Sequence, residues 1–226
     1  MGSSGRCHAA IALLALVIAA GCGGSSKSAA PHGSTTIGHQ ATTSTVASPA
    51  LRLQALSVHD LPRGWSLDPP SANTADPPAC LKTVRHPAHS VARLNESFVA
   101  GASGIPAFNE TLDAFKTVDD ADAALAHAVT VLGGCRQMTW NLGGGALAGG
   151  VRALPLASVA DESHAFQLRL TGTTRGLKIT IDFDIVVARK GTTVMLTSLG
   201  DADIPDATLL TRLTARAVAK LGAGVA

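Results

Sequence analysis

The chain has 226 residues, 46% of them hydrophobic but only 3% aromatic, with five Phe, two Trp and no Tyr. Its formal net charge of +2 comes from Arg6 and Lys27; without those two, 16 basic residues from Leu51 onward face 16 acidic ones. A neutral domain lacks the electrostatic footprint of a nucleic-acid binder, and the scarcity of Tyr and Trp disfavours stacking platforms for sugars or bases and aromatic-rich protein interfaces.

In chain order, the first element is an apolar run, Ala9 to Ala20 (AAIALLALVIAA), preceded by Arg6 and His8. Twelve residues are too few for a spanning helix, which needs about 20, and match the apolar region of a signal peptide. The run ends in Ala19-Ala20-Gly21-Cys22, which resembles the lipobox of bacterial lipoproteins. That resemblance implies a diacylglycerol on the Cys22 thiol and cleavage before Cys22, with residues 1–21 as the signal peptide. The other reading is a soluble secreted protein cleaved at the same place. Residues 22–50 read as the anchor cysteine and a disordered tether of Gly, Ser, Thr, Ala and Pro. A flexible chain of that length has an end-to-end distance of about 30 Å. His32 and His39 lie in this tether, without a scaffold that would make them ligands.

Residues 51–226 read as a single α+β extracytoplasmic domain. Ser57 with Asp60 three residues on forms a weak capping box for one short turn of helix, stopped by Pro62 to Gly64. Trp65, in a Pro- and Asp-rich stretch, is expected in the core under an irregular loop. Val91 to Ala100 and Ala107 to Lys116 read as strands separated by the turn signal GASGIP. A helix follows, capped by Thr117 or Asp119, with Asp119, Asp120 and Asp122 in its first turn and Ala121, Ala124, Leu125, Ala128 and Leu132 on one face. Gly133-Gly134 stops it. NLGGGALAGG, Asn141 to Gly150, lacks the Lys-Ser/Thr or GxGxxG pattern of a phosphate loop and is expected as a mobile surface loop, the other reading being a loop that borders a ligand cleft.

The strongest β signal comes next. Phe166, Leu168 and Leu170 share a face, and Leu177, Ile179, Ile181, Phe183 and Ile185 alternate in the following strand, with Thr192 to Leu199 completing an antiparallel meander. The opposite face carries Lys178, Thr180, Asp182 and Asp184 and is expected to be wet. Asp182 and Asp184 point the same way about 6–7 Å apart, a spacing that suits a carboxylate pair but reads more simply as a solvated face. A last helix puts Leu210, Leu213, Ala217 and Leu221 on one stripe and is expected on the apolar face of the meander. The fold expectation is therefore α+β: a twisted antiparallel sheet with two main helices packed on one face.

Of four cysteines, Cys7 leaves with the signal peptide and Cys22 is the candidate anchor, so Cys80 and Cys135 remain as a pair in an oxidising compartment. No catalytic motif emerges. Gly101-Ala-Ser-Gly104 is one residue short of a nucleophile elbow, HExxH is absent, and His86 and His89 flank Pro87 without a third ligand. No enzymatic activity, cofactor or metal is expected.

DLPRGW, Cys80, NESFVA, NETLDAF, the DDADAALAHAV helix leading to Cys135, the meander and the last helix together resemble secreted actinobacterial lipoproteins. Their domains are similar to the extracellular sensor domain of the PknH-type receptor kinases, over about residues 51–222. The resemblance implies a twisted antiparallel sheet with packed helices and a cleft for an unidentified ligand; that family's sensor has two disulfides, and this chain has cysteines for one. Two functions stay open: a sensor-like or small-ligand-binding lipoprotein of the cell envelope, held to the membrane by its N-terminal lipid, or a non-catalytic accessory protein that binds another envelope protein.

Overall fold

The computed structural model describes residues 49–68, 78–85, 87–101, 104–142, 145–174, 176–201 and 204–223. In chain order they form α1 (Pro49–Gln54), a 3₁₀ turn (Val58–Asp60), β1 (Trp65–Leu67), a 3₁₀ segment (Ala79–Arg85), β2 (Ala92–Ala100), β3 (Ala107–Ala114) and α2 (Val118–Gly134). Then come β4 (Met138–Leu142), β5 (Gly145–Leu154), β6 (Glu162–Thr174), β7 (Leu177–Lys190), β8 (Thr193–Asp201) and α3 (Ala207–Ala223). The strands make one open sheet in the order β1-β2-β3-β8-β7-β6-β5-β4, and every pairing is antiparallel. The α+β class and the antiparallel sheet agree with the sequence reading. The hairpin from β2 to β3 turns on Gly101 and Gly104, whose φ angles of 67° and 72° favour glycine.

The register sorts side chains onto two faces. The front face carries the odd residues of β3 and β7 and the even residues of β6: Phe166 lies opposite Ile185, Leu168 opposite Phe183 and Leu170 opposite Ile181. Onto these residues, with Trp140, Leu147 and Val151, α2 packs Ala121, Ala124, Leu125, Ala128 and Leu132, the five positions its 3.6-residue period places together. Its N-terminus is fixed by Thr117, whose Oγ1 accepts the Asp120 N–H at 3.1 Å, and Asp119 and Asp120 complement the dipole there.

The back face carries Phe98, Phe108, Leu112, Val186, Ala188, Met195 and Leu199, and it receives Leu51, Ala55 and Leu56 of the α1 segment and Leu210, Leu213, Ala217, Val218 and Leu221 of α3. The two main helices therefore lie on opposite faces, which corrects the expectation of one helical layer. The cause is in β7 and β8, both of which are buried on two sides: Ile185 and Val187 face α2, while Val186 and Ala188 face α3. The wet face expected of the meander is corrected with it, since Asp182 and Asp184 are only 2% and 4% exposed.

Two further expectations change. The glycine-rich stretch is not a surface loop in its described residues; it supplies the end of β4 and most of β5. A Cβ at Gly149 would fall on the backbone carbonyl of Arg169, and one at Gly150 on that of Arg136, so these glycines allow close backbone approach. Trp65 is buried as expected but stands at the start of a strand rather than under an irregular loop.

Candidate functional site

Each main helix covers only part of its face. On the front, α2 lies toward β4–β7, and the β2–β3–β8 side presents polar groups instead. Strand alternation puts Arg93, Asn95 and Ser97 of β2 against Asp113, Thr111 and Asn109 of β3, with Ser198 of β8 next to Asn109. These residues share hydrogen bonds. Ser97 Oγ donates to Asn109 Oδ1 at 2.8 Å, Asn109 Nδ2 donates to Ser198 Oγ at 3.4 Å, and Thr111 Oγ1 donates to Asn95 Oδ1 at 2.8 Å. Asn109, Thr111, Asp113 and Ser198 are all buried. The result is a flat polar floor.

At its α2 end the floor becomes charged. Arg93 Nη2 lies 3.7 Å from Asp113 Oδ2, and Ser90 Oγ donates to Asp113 Oδ1 at 3.1 Å. Arg93 Nη1 is buried and has no hydrogen-bond partner among the described residues. Burial disfavours both charges: it lowers the Arg93 guanidinium against the attraction of Asp113, and it pushes the Asp113 carboxyl up to about 6 against Arg93 and Ser90. Above this pair, Val84 of the 3₁₀ segment, Pro87 beyond that segment and His127 of α2 close a cavity of about 20 Å³, room for one water rather than an organic ligand.

A second polar network lies on the back face, beyond α3. Arg152 donates through Nε and Nη2 to Gln167 Oε1 at 2.9 and 2.7 Å, and Gln167 Nε2 donates to Asp184 Oδ1 at 3.1 Å. Arg169 Nε lies 3.5 Å from Asp182 Oδ1. Burial raises both aspartates, with the neighbouring cations and Gln167 opposing it. The expected carboxylate pair is thus two buried groups with different neighbours: Asp184 accepts from Gln167, while Asp182 faces Arg169 as an ion pair.

Cys80, in the 3₁₀ segment, and Cys135, the C-cap of α2, stand with their sulfur atoms at disulfide distance and their Cα atoms 5.7 Å apart. Cys22 and His86 lie outside the described residues, as do Cys7, His32 and His39. His89 is exposed in a turn, with φ of 65°. Among the described residues no cluster of His, Cys, Asp and Glu forms a metal site, and no helix is long and apolar enough to cross a membrane. The sequence reading passed over the floor, although its signal was present: Asn95 and Ser97 alternate with Leu94 and Phe98, as do Asn109 and Thr111 with Phe108 and Leu112.

An open antiparallel sheet with helices on both faces and a polar network at one side of its front face is the class of domain this geometry defines. The chain is similar to the crystal structure of the extracellular domain of PknH from Mycobacterium tuberculosis, with a TM-score of 0.60 and 11% identity over 79% of this chain and 99% of that one. At that identity the likeness is one of fold, and it is the fold that the residues quoted above imply. A second structure, LpqN from Mycobacterium tuberculosis, involved in cell envelope biogenesis, matches at 19% identity over 70% of this chain and 76% of that one; its TM-score of 0.29 carries no argument. No protein-family model matches the chain, and no curated protein does.

Proposed function

We propose that the chain is an extracytoplasmic lipoprotein of the cell envelope, anchored through Cys22 and tethered by residues 23–50, whose domain over residues 51–226 binds a small polar ligand on the front-face floor. The observation that carries the binding reading is Arg93: a partly buried guanidinium whose buried Nη1 has no hydrogen-bond partner among the described residues, at the end of a floor whose other polar groups satisfy one another. A buried unpaired donor costs about 1–3 kcal/mol, and a ligand acceptor would recover that. The fold shared with an extracellular domain and the Cys80–Cys135 pairing at disulfide distance support an oxidising compartment.

The test is mass spectrometry of the protein purified from its native membrane with bound material retained, beside an Arg93→Ala variant. The expected result is acylated Cys22 as residue one, and a small molecule retained by the wild type and lost from the variant. An unmodified Cys22 would overturn the anchor, and identical bound material in both proteins would overturn the floor as the binding site. Thiol counting without reductant is expected to find Cys80 and Cys135 unreactive; two titrating thiols would overturn the disulfide.

A further inference from the structure

Glu110 stands in the middle of β3 on the back face, in a core where the floor plays no part. It is 1% exposed. Its Oε2 accepts the backbone N–H of Leu56 at 2.8 Å, and its Oε1 is buried without a hydrogen-bond partner among the described residues. The groups facing it come from every element around it. Glu96 of β2 is its register partner on one side and Thr197 of β8 on the other; the Thr197 hydroxyl is engaged with Thr214 of α3 at 2.8 Å. Lys220 of α3 attracts the carboxylate, while Asp60 of the 3₁₀ turn and Glu96 repel it. Lys220 and Arg216 are themselves held by Asp60 at 2.8 and 3.3 Å, and Arg52 of α1 acts on Glu96. Among the described residues no cation is paired directly with Glu110.

An ionised carboxylate in that position keeps one oxygen dry and unpaired, a costly state. Burial accordingly pushes the group up to about 7, against the Leu56 hydrogen bond and Lys220. The cover over Glu110 is slight: α1 is six residues long and, with the two residues after it, buries Leu51, Ala55 and Leu56. It precedes every other element in the domain, so it can lift without breaking a sheet ladder or either long helix. Lifting it returns Glu110 to water.

We propose that Glu110 is a proton-operated latch on α1: with the carboxyl protonated α1 is docked on the back face, and loss of the proton releases it together with the mount of the N-terminal segment. The sign follows from linkage. A docked form that binds its proton near pH 7 and an open form that binds it near 4.5 share a docking equilibrium that is fully favourable below about 4.5 and weakens as pH rises through 7. Between pH 5 and 8 the ratio of docked to open falls by about 70-fold.

The experiment is amide hydrogen exchange on the full chain across pH 5 to 8, corrected for intrinsic rates. Protection over residues 49–57 is expected to fall by about that factor, while the interiors of α3 and β3 hold theirs; in Glu110→Gln the protection of 49–57 is expected to be flat with pH. A flat profile in the wild type, or an unchanged slope in the variant, overturns the latch. Should Glu110→Gln fail to fold, carboxyl carbon NMR of the wild type decides: a Glu110 midpoint near neutrality, tracked by the Leu56 amide shift, supports it, and a midpoint in the ordinary carboxylate range overturns it.

Discussion

Thr197 of β8 and Thr214 of α3 are both fully buried, and their hydroxyl oxygens are 2.8 Å apart. They are the polar contact between α3 and the centre of a back-face core otherwise made of Phe108, Leu112, Met195 and Leu213. Valine has the shape of threonine without the hydroxyl, so Thr214→Val leaves the packing in place and strands the Thr197 hydroxyl in an apolar site. That loss is about 1–3 kcal/mol, and Thr197→Val strands the other partner at the same cost. The double variant removes both hydroxyls, and replacing both partners by apolar groups of the same shape is close to neutral. The cycle is therefore strongly non-additive, with a coupling as large as the two single losses together, about 2–6 kcal/mol. Urea unfolding at pH 5, where Glu110 opposite Thr197 holds its proton, measures it; a domain of this size shifts its Tm by about 2–4 °C per kcal/mol. A double variant as destabilised as the sum of the singles would refute the reasoning and show that each hydroxyl has another partner.

Glu110 and Asp113 bind protons near 7 and 6 in the fold against 4.5 and 3.8 outside it, so the stability that each proton confers is present at acid pH and lost as pH rises through 6 to 7, by up to about 3 kcal/mol each. Unfolding free energies that are equal at pH 5 and pH 8 would contradict this. Gly149→Ala sets a Cβ on the carbonyl of Arg169 in the adjacent strand and is expected to cost at least about 2 kcal/mol, whereas Gly133→Ala, helical with open space around it, is expected to gain up to about 1 kcal/mol; equal melting temperatures for the two would refute the glycine argument. Replacing Cys80 and Cys135 together by Ala opens a loop of 55 residues and is expected to lower stability by roughly 4 kcal/mol on the chain-entropy account, and reducing agent should then leave the variant's denaturation curve unchanged.

The parts of this fold that could be read from sequence are those where one residue pattern admits one solution. Thr117 caps α2, and its five buried positions are the five its periodicity marks. The alternation in β6 and β7 likewise names the front-face core. The reading failed where a pattern carried two meanings. A glycine run signals a loop when nothing approaches it, and a strand when neighbouring carbonyls leave no room for a Cβ, as at Gly149 and Gly150. The placing of α3 went wrong because Asp182 and Asp184 suggested a wet face, although four consecutive apolar residues follow them, Ile185 to Ala188. Such a run is the mark of a strand buried on both sides. The floor was hidden for a related reason: its residues act together only once β2, β3 and β8 are in register.

The coverage of the sheet accounts for where the floor lies and for which of its residues can act. Eight strands at about 4.8 Å span close to 40 Å, while a helix with its side chains is about 10–12 Å across. One helix per face therefore cannot cover the sheet, and the apolar residues divide it: α2 takes the front of β4–β7 and the Val194 end of β8, and α1 and α3 take the back of β1–β3 and β8, with β7 and β8 buried from both sides. The front of β2 and β3, beyond α2, is polar even where Asn109, Thr111 and Asp113 are buried, and polarity there is no sign of function by itself. Ser97, Asn109 and Ser198 are paired with one another, and Thr111 is paired with Asn95; a ligand would have to replace bonds already made. Among the described residues of the floor, the buried donor left over is at Arg93. Binding energy is therefore expected to concentrate at that end: Arg93→Ala should abolish retention of the bound molecule, while Ser97→Ala should alter it by less than tenfold, and a reversed order would place the ligand elsewhere on the floor.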